Sequence, residues 1–181
     1  MDTELVMAAQ RGDEEAFANL VVAHGGRLQA VAHRILRDYD LAEDATQQAL
    51  LRIWKSLPTL RDPARFEAWS YQLLVRACYA EARRTRHWSP DLLLAETDAS
   101  AADPLADIAD RDQLERAFRT LSVDHRAVVV LHHYLDLPLA EVAGVLGIRV
   151  GTAGSRLHYA MKALHAALDA AARPTLQEAT R

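Results

Sequence analysis

Residues 137–164 read LPLAEVAGVLGIRVGTAGSRLHYAMKAL, and their spacing predicts two short helices joined by a sharp turn. Leu139, Val142, Ala143 and Leu146 form one apolar seam at i, i+3, i+4 and i+7. Gly147 follows, the residue type suited to the left-handed conformation of a tight turn. Val150, Ala153, Leu157, Ala160, Met161 and Leu164 form the next seam. Opposite that second seam, Ser155, His158, Tyr159 and Lys162 make a polar stripe, with Thr152 and Arg156 alongside and Arg149 in the connection. This is helix-turn-helix spacing. The stripe offers hydroxyls and imidazole to base edges and cations to phosphates. On a helix standing alone, such a stripe reads more simply as an ordinary solvated face; the turn before it favours the groove-reading helix.

Upstream, the same periodicity continues. Leu114, Ala117, Phe118 and Leu121 predict a helix, and Val128, Leu131 and Leu135 place the β-branched cluster at 128–130 inside another, over 124–135. In the N-terminal half the seams run through Phe17, Leu20, Val21; Leu28, Val31, Ala32, Ile35, Leu36; Ala49, Ile53, Trp54, Leu57; and Phe66, Trp69, Leu73, Ala77. Breaks are expected at Gly25-Gly26, at Asp38 to Asp40 and at Pro58, and Asp62-Pro63 reads as an N-cap with proline at the first helical position. No period-two run suggests a sheet. The fold class is therefore all-α: two small helical domains, residues 1–87 and 113–172, joined by a flexible acidic linker at 88–112 and followed by a tail at 173–181.

Composition narrows the function. Of 181 residues, 50% are apolar and 25% charged, which suits folded domains. No apolar run nears the roughly 18 residues of a membrane helix, and the first residues carry no targeting signal, so no membrane insertion and a cytoplasmic location are expected. The single cysteine, Cys78, excludes a disulfide framework and multi-cysteine zinc sites. No metal, cofactor or catalytic residue is predicted: histidine pairs lack zinc-hydrolase spacing, and no nucleophile motif or phosphate-binding glycine loop occurs. The chain reads as a non-enzyme. The net charge of −4 opposes a nucleic-acid partner when taken as a total, but its distribution removes the objection. Residues 1–87 are neutral overall, 113–181 are at plus 2, and 88–112 hold minus 6. That segment, with Pro90, Pro104 and Ser100, reads as a linker. It spans on the order of 70 Å when extended at ~3.4 Å per residue.

Residues 137–164 resemble the region-4 helix-turn-helix of bacterial extracytoplasmic-function (ECF) sigma factors, and LSVDHRAVVVLHHY at 121–134 resembles the helix preceding it. GDEEAFANL at 12–20, DLAEDATQQALLRIW at 40–54 and FEAWSYQLLVRACYAEARRTR at 66–86 resemble regions 2.1, 2.2 and 2.3–2.4 of the same family. The resemblance implies a subunit that binds RNA polymerase core and directs promoter-specific transcription initiation. Region 2 would bind the clamp helices of the largest subunit and open the minus-ten element; region 4 would read the minus-thirty-five element and touch the flap of the second-largest subunit. An anti-sigma factor is the further partner implied.

Carried onto this sequence, polymerase binding falls to Asp44, Gln47, Gln48, Leu51, Arg52 and Trp54, with Leu51 and Trp54 equally expected in the core. Minus-ten recognition falls to the 57–65 loop with Arg61 and Arg65, to Trp69, and to Arg76, Arg83, Arg84 and Arg86. Loop pockets flanked by arginines and an aromatic suit an unstacked base; charge at a helix C-terminus is the simpler account of Arg83, Arg84 and Arg86. Minus-thirty-five recognition falls to Arg149, Thr152, Gly154, Ser155, Arg156, His158, Tyr159 and Lys162. The chain departs from the family pattern at Gly154, Tyr159 and Met161, at Arg76 and Ala80, and at Gln48. With Arg149, Arg156 and Lys162 as main cations, about three phosphate contacts and weak duplex binding by 113–181 alone are expected. The acidic linker fits either a segment threading the positively lined RNA-exit path or a solvated spacer.

Overall fold

The computed structural model describes the backbone of residues 3–88 and 107–178 and the side chains of 3–85 and 113–170. Most of the acidic linker lies outside the described residues. The N-terminal half is a bundle of α1 (Thr3–Gln10), α2 (Glu14–Leu36), α3 (Tyr39–Ser56) and α4 (Phe66–Trp88). Asp13 caps α2 by accepting from the Ala16 amide at 3.0 Å, and Asp38 caps α3 by accepting from Leu41 at 2.9 Å. The chain leaves α3 at Pro58 through a 3-10 turn, Leu57–Thr59. Asp62 then caps the Pro63–Arg65 turn that leads into α4. Gln10 fastens α1 to this loop, donating to the carbonyls of Leu57 at 3.2 Å and Leu60 at 2.7 Å.

The break expected at Gly25-Gly26 does not occur, because α2 runs through both glycines. Each costs about 1 kcal/mol in a helix interior, but Leu20, His24 and Leu28 are buried on either side of the pair. Their burial outweighs the backbone cost. Ala42, Ala45 and Ala49 are buried along α3, small enough to let α2 and α4 approach closely.

The C-terminal half holds α5 (Asp107–Arg119), α6 (Val123–Val129), α7 (Leu139–Leu146) and α8 (Val150–Glu178). Residues 107–112, expected in the linker, are helical, as are 173–178, expected in the tail. The second helix of the motif is not short: α8 has 29 residues. Nor is 124–135 one α-helix, since after Val129 it widens into a π turn at Val130–Tyr134. The Leu135 amide reaches back to the Val130 carbonyl at 3.2 Å, the Leu137 amide donates to Leu131 at 3.2 Å, and His132 Nδ1 donates to the Leu137 carbonyl at 2.8 Å. These bonds occupy the carbonyl and amide groups a helix end leaves open. Gly147 adopts φ 67, as the turn demands, and Ile148 closes the cap onto the Ala143 carbonyl at 3.0 Å. Among the described residues there is no strand.

The two bundles pack on each other, α4 against α7 and α2 against α6. The Arg37 guanidinium pairs with Glu115, and the Arg34 guanidinium lies 3.9 Å from the centre of the Tyr134 ring. Arg126 donates to the Leu36 carbonyl and Gln72 to the Gly144 carbonyl, both at 3.4 Å.

Candidate nucleic-acid interface

The face of α8 follows from its seam. Ala153, Ala160 and Leu164 are buried, which turns Thr152, Ser155, His158, Tyr159 and Lys162 to solvent. Tyr159 is 59% exposed although it is a large apolar ring, and His158 lies edge-on to it at 5.6 Å. Arg149, in the connection, is exposed too. Ser155 spends its hydroxyl proton on the Gly151 carbonyl at 2.9 Å, leaving the oxygen as an acceptor. Two residues depart from the expected groove face. Gly154 turns toward α7, where a Cβ would stand 3.4 Å from Leu139 Cδ2; it serves helix packing and has no side chain to offer. Arg156 is half-buried and paired with Asp124 of α6 at 3.1 Å.

A second candidate surface surrounds the loop before α4. Arg61, Arg65 and Trp69 line a cleft of about 820 Å³, together with Arg27, Tyr71 and, from the other half, Glu141. Three guanidinium groups and a half-buried indole thus converge where an unstacked base and its phosphate could be held. Further along α4, Arg76, Arg83 and Arg84 are exposed, and Arg83 Nε donates to the Tyr79 carbonyl at 3.1 Å. The side chain of Arg86 lies outside the described residues.

On α3 the expected polymerase residues divide into two groups. Gln47, Leu51 and Trp54 line a groove of about 520 Å³ with Glu14, Phe17 and Leu50. Leu51 is 59% exposed and Trp54 36% exposed, so neither is the core residue that the seam equally allowed. Trp54 rests on Phe17 at 4.6 Å between ring centres. Sequence reading missed Phe17 and Glu14 because both belong to α2, and only the folded bundle sets them beside α3. Arg52 is exposed. Asp44 and Gln48 face α4 instead: Asp44 accepts from Arg84 Nη2 at 3.1 Å, and Gln48 donates to the buried carboxylate of Glu81. Residues expected to bind polymerase and residues expected to bind promoter thus meet where α3 packs on α4.

The buried His24–Ser70 pair of the N-terminal bundle is structural. Ser70 donates to the Glu67 carbonyl at 2.8 Å, so its oxygen must accept from His24 Nε2, 2.9 Å away. Burial between Phe66 and Tyr71 lowers the His24 pKa. Burial likewise pushes the Cys78 thiol up to about 12 and Tyr71 up to about 12; an inert core thiol results. Among the described residues no group of three His, Cys, Asp or Glu side chains is placed to hold a metal ion, and no helix is long and apolar enough to cross a membrane.

Residues 20–87 match the family Sigma-70 region 2, and residues 111–164 match Sigma-70, region 4. The ECF RNA polymerase sigma factor SigL of Mycobacterium tuberculosis is 34% identical over 174 residues, spanning 90% of this chain and 97% of that protein. Among solved structures, CnrH in complex with the cytosolic domain of CnrY superposes with a TM-score of 0.68 at 25% identity, covering 93% of this chain and 97% of that one. The sigma factor RpoE in complex with the anti-sigma factor NepR, from Bartonella quintana, shares the fold with a TM-score of 0.68 at 22% identity, covering 84% and 96%. With both of its bundles matched and nearly its full length shared with SigL, the chain belongs to the extracytoplasmic-function sigma factors, subunits that direct promoter-specific transcription initiation by RNA polymerase.

Proposed function

We propose that α8 reads the minus-thirty-five element in the major groove while the loop at 57–65, Trp69 and the arginines of α4 hold the opened minus-ten element. The observation that carries this reading is the exposed stripe of Ser155, His158, Tyr159 and Lys162 on the helix that follows Gly147. A helix laid in the groove needs an outward face of donors, acceptors and cations, and Arg149 and Lys162 are the cations available to phosphates there. Arg156 must leave Asp124 to join them. The groove of Phe17, Leu51 and Trp54 docks the clamp helices of the largest polymerase subunit, because exposed aromatic and aliphatic side chains in one concave patch are what a partner helix buries. Region 4 engages the flap of the second-largest subunit.

CnrH was solved with the cytosolic domain of CnrY and RpoE with the anti-sigma factor NepR, which supports an anti-sigma factor as a third partner of this chain and the cytoplasm as its place of work. Run-off transcription with purified core polymerase tests the function: addition of the chain gives a transcript with one defined 5′ end on a cognate promoter. Tyr159→Ala and His158→Ala should lose discrimination among minus-thirty-five variants; unchanged discrimination would refute the groove assignment.

A further inference from the structure

The cations along the reading face of α8 are not equivalent. Arg149 and Lys162 are exposed and form no ion pair among the described residues, whereas Arg156 Nη1 lies 3.1 Å from Asp124 Oδ1, with side chains 29% and 51% exposed. The folding of the C-terminal half does not account for this pair. Ser122 already caps α6 by accepting from the His125 amide at 3.3 Å, so the cap makes no use of Asp124. The seat of α8 on α6 is apolar, with Ala127, Val128 and Leu131 buried on one side and Ala153, Ala160 and Leu164 on the other. What the pair does fix is the charge state of the DNA-facing helix: one of its cations is already neutralised, and by a carboxylate that remains open to solvent.

We propose that Asp124 is a specificity-determining residue: it withholds Arg156 from DNA until α8 is fully seated on a matching minus-thirty-five element, so mismatched duplex is held by one phosphate contact fewer. This rests on the groove assignment made above. Exchanging the carboxylate for a phosphate is nearly neutral only when the phosphate reaches hydrogen-bond distance of the guanidinium. Base contacts by the stripe draw the helix to that depth. On a mismatched duplex the helix sits less deeply, Arg156 stays with Asp124, and the exposed carboxylate adds repulsion toward the phosphates nearby. Discrimination therefore comes from a penalty on the wrong sequence as well as from contacts to the right one. A phosphate contact is also read in the salt dependence of binding, where each adds about 0.9 to the slope of log affinity against log salt.

The test uses the full-length chain and two fluorescent duplexes of roughly 20 base pairs, about two helical turns: one that the chain itself enriches from a random pool, and the same duplex with the enriched bases scrambled. Anisotropy titrations over about 0.03 to 0.15 M salt should give the enriched duplex a slope steeper by about 0.9. Asp124→Asn should bring the scrambled duplex to the steeper slope and raise its affinity about three- to tenfold, narrowing the discrimination by the same factor. Arg156→Gln should bring the enriched duplex to the shallower slope and narrow the discrimination from the other side. A merely structural Asp124 would lower the melting temperature and leave both slopes and the discrimination at their wild-type values, which would overturn the proposal, as would equal wild-type slopes on the two duplexes. Should Asp124→Asn unfold, Arg156→Gln still decides. A pool that yields no preferred sequence would instead sink the groove assignment itself, and this proposal with it.

Discussion

His24 makes the stability of the N-terminal bundle depend on pH with a definite sign. Its neutral ring donates through Nε2 to Ser70 and is packed between Phe66 and Tyr71; burial, then the nearby Arg27 charge against the opposing Glu67, leaves its pKa below the ordinary 6.5. The unfolded chain takes up the proton first as pH falls, so the stability due to neutral His24 is complete above about 6.5 and is lost as pH drops from there toward the lower folded value. The melting temperature should fall between pH 7 and pH 5, and His24→Gln should flatten that dependence. His33, whose pKa burial and Arg37 also lower, supplies what slope remains. Leu51 makes the opposite case: it is 59% exposed and lies outside the buried core. Leu51→Ala should leave folding stability within about 0.5 kcal/mol, while competition binding to core polymerase weakens on the order of tenfold, the loss of one good interface anchor.

At the scale of the element, two glycines of the helix-turn-helix should respond oppositely to the same substitution. Gly147 has φ 67 with nothing near its missing Cβ, so Gly147→Ala meets backbone strain alone, about 1 kcal/mol of destabilisation in urea denaturation. Gly154 is helical, and Gly154→Ala gains helix propensity of about 1 kcal/mol against a contact with Leu139 that is tight but movable; it should be neutral to stabilising. The first of these was legible from sequence, as were the break at Asp38, the cap at Asp62 and the exit at Pro58, because each depends on local chemistry within four residues. The uninterrupted α2 was not, since the burial that carries Gly25-Gly26 comes from α3 and α4. Nor was the π turn after Val129, whose bonds involve residues beyond the expected helix end. The site divides along the same line: the stripe on α8 follows from one helix's periodicity, whereas the Phe17–Trp54 contact and the Glu81 network need helices far apart in sequence to meet.

For the whole molecule, the packed arrangement of the two bundles cannot be the one that spans a promoter. The two elements are named for positions about 25 base pairs apart, roughly 85 Å of duplex at 3.4 Å per pair, whereas a compact chain of 181 residues has a radius of gyration of about 16 Å. The cleft holding Arg61, Arg65 and Trp69 is also walled by Glu141, Gly144 and Val145 of α7, so the minus-ten role proposed for it requires region 4 to move aside. Glu115 is the charge that answers Arg37 across this contact, and Arg37 is held below its ordinary pKa by burial and by Arg119 and Arg34. Reversing it sets cation against cation. Glu115→Arg should cost the closed form about 1–2 kcal/mol, a shift of about tenfold toward separated bundles. Small-angle scattering should report a radius several ångströms larger than wild type at low salt, with the difference shrinking at high salt as the repulsion is screened. Single-stranded oligonucleotide binding should tighten in step with that expansion; a larger radius with unchanged binding would mean that α7 does not guard the cleft.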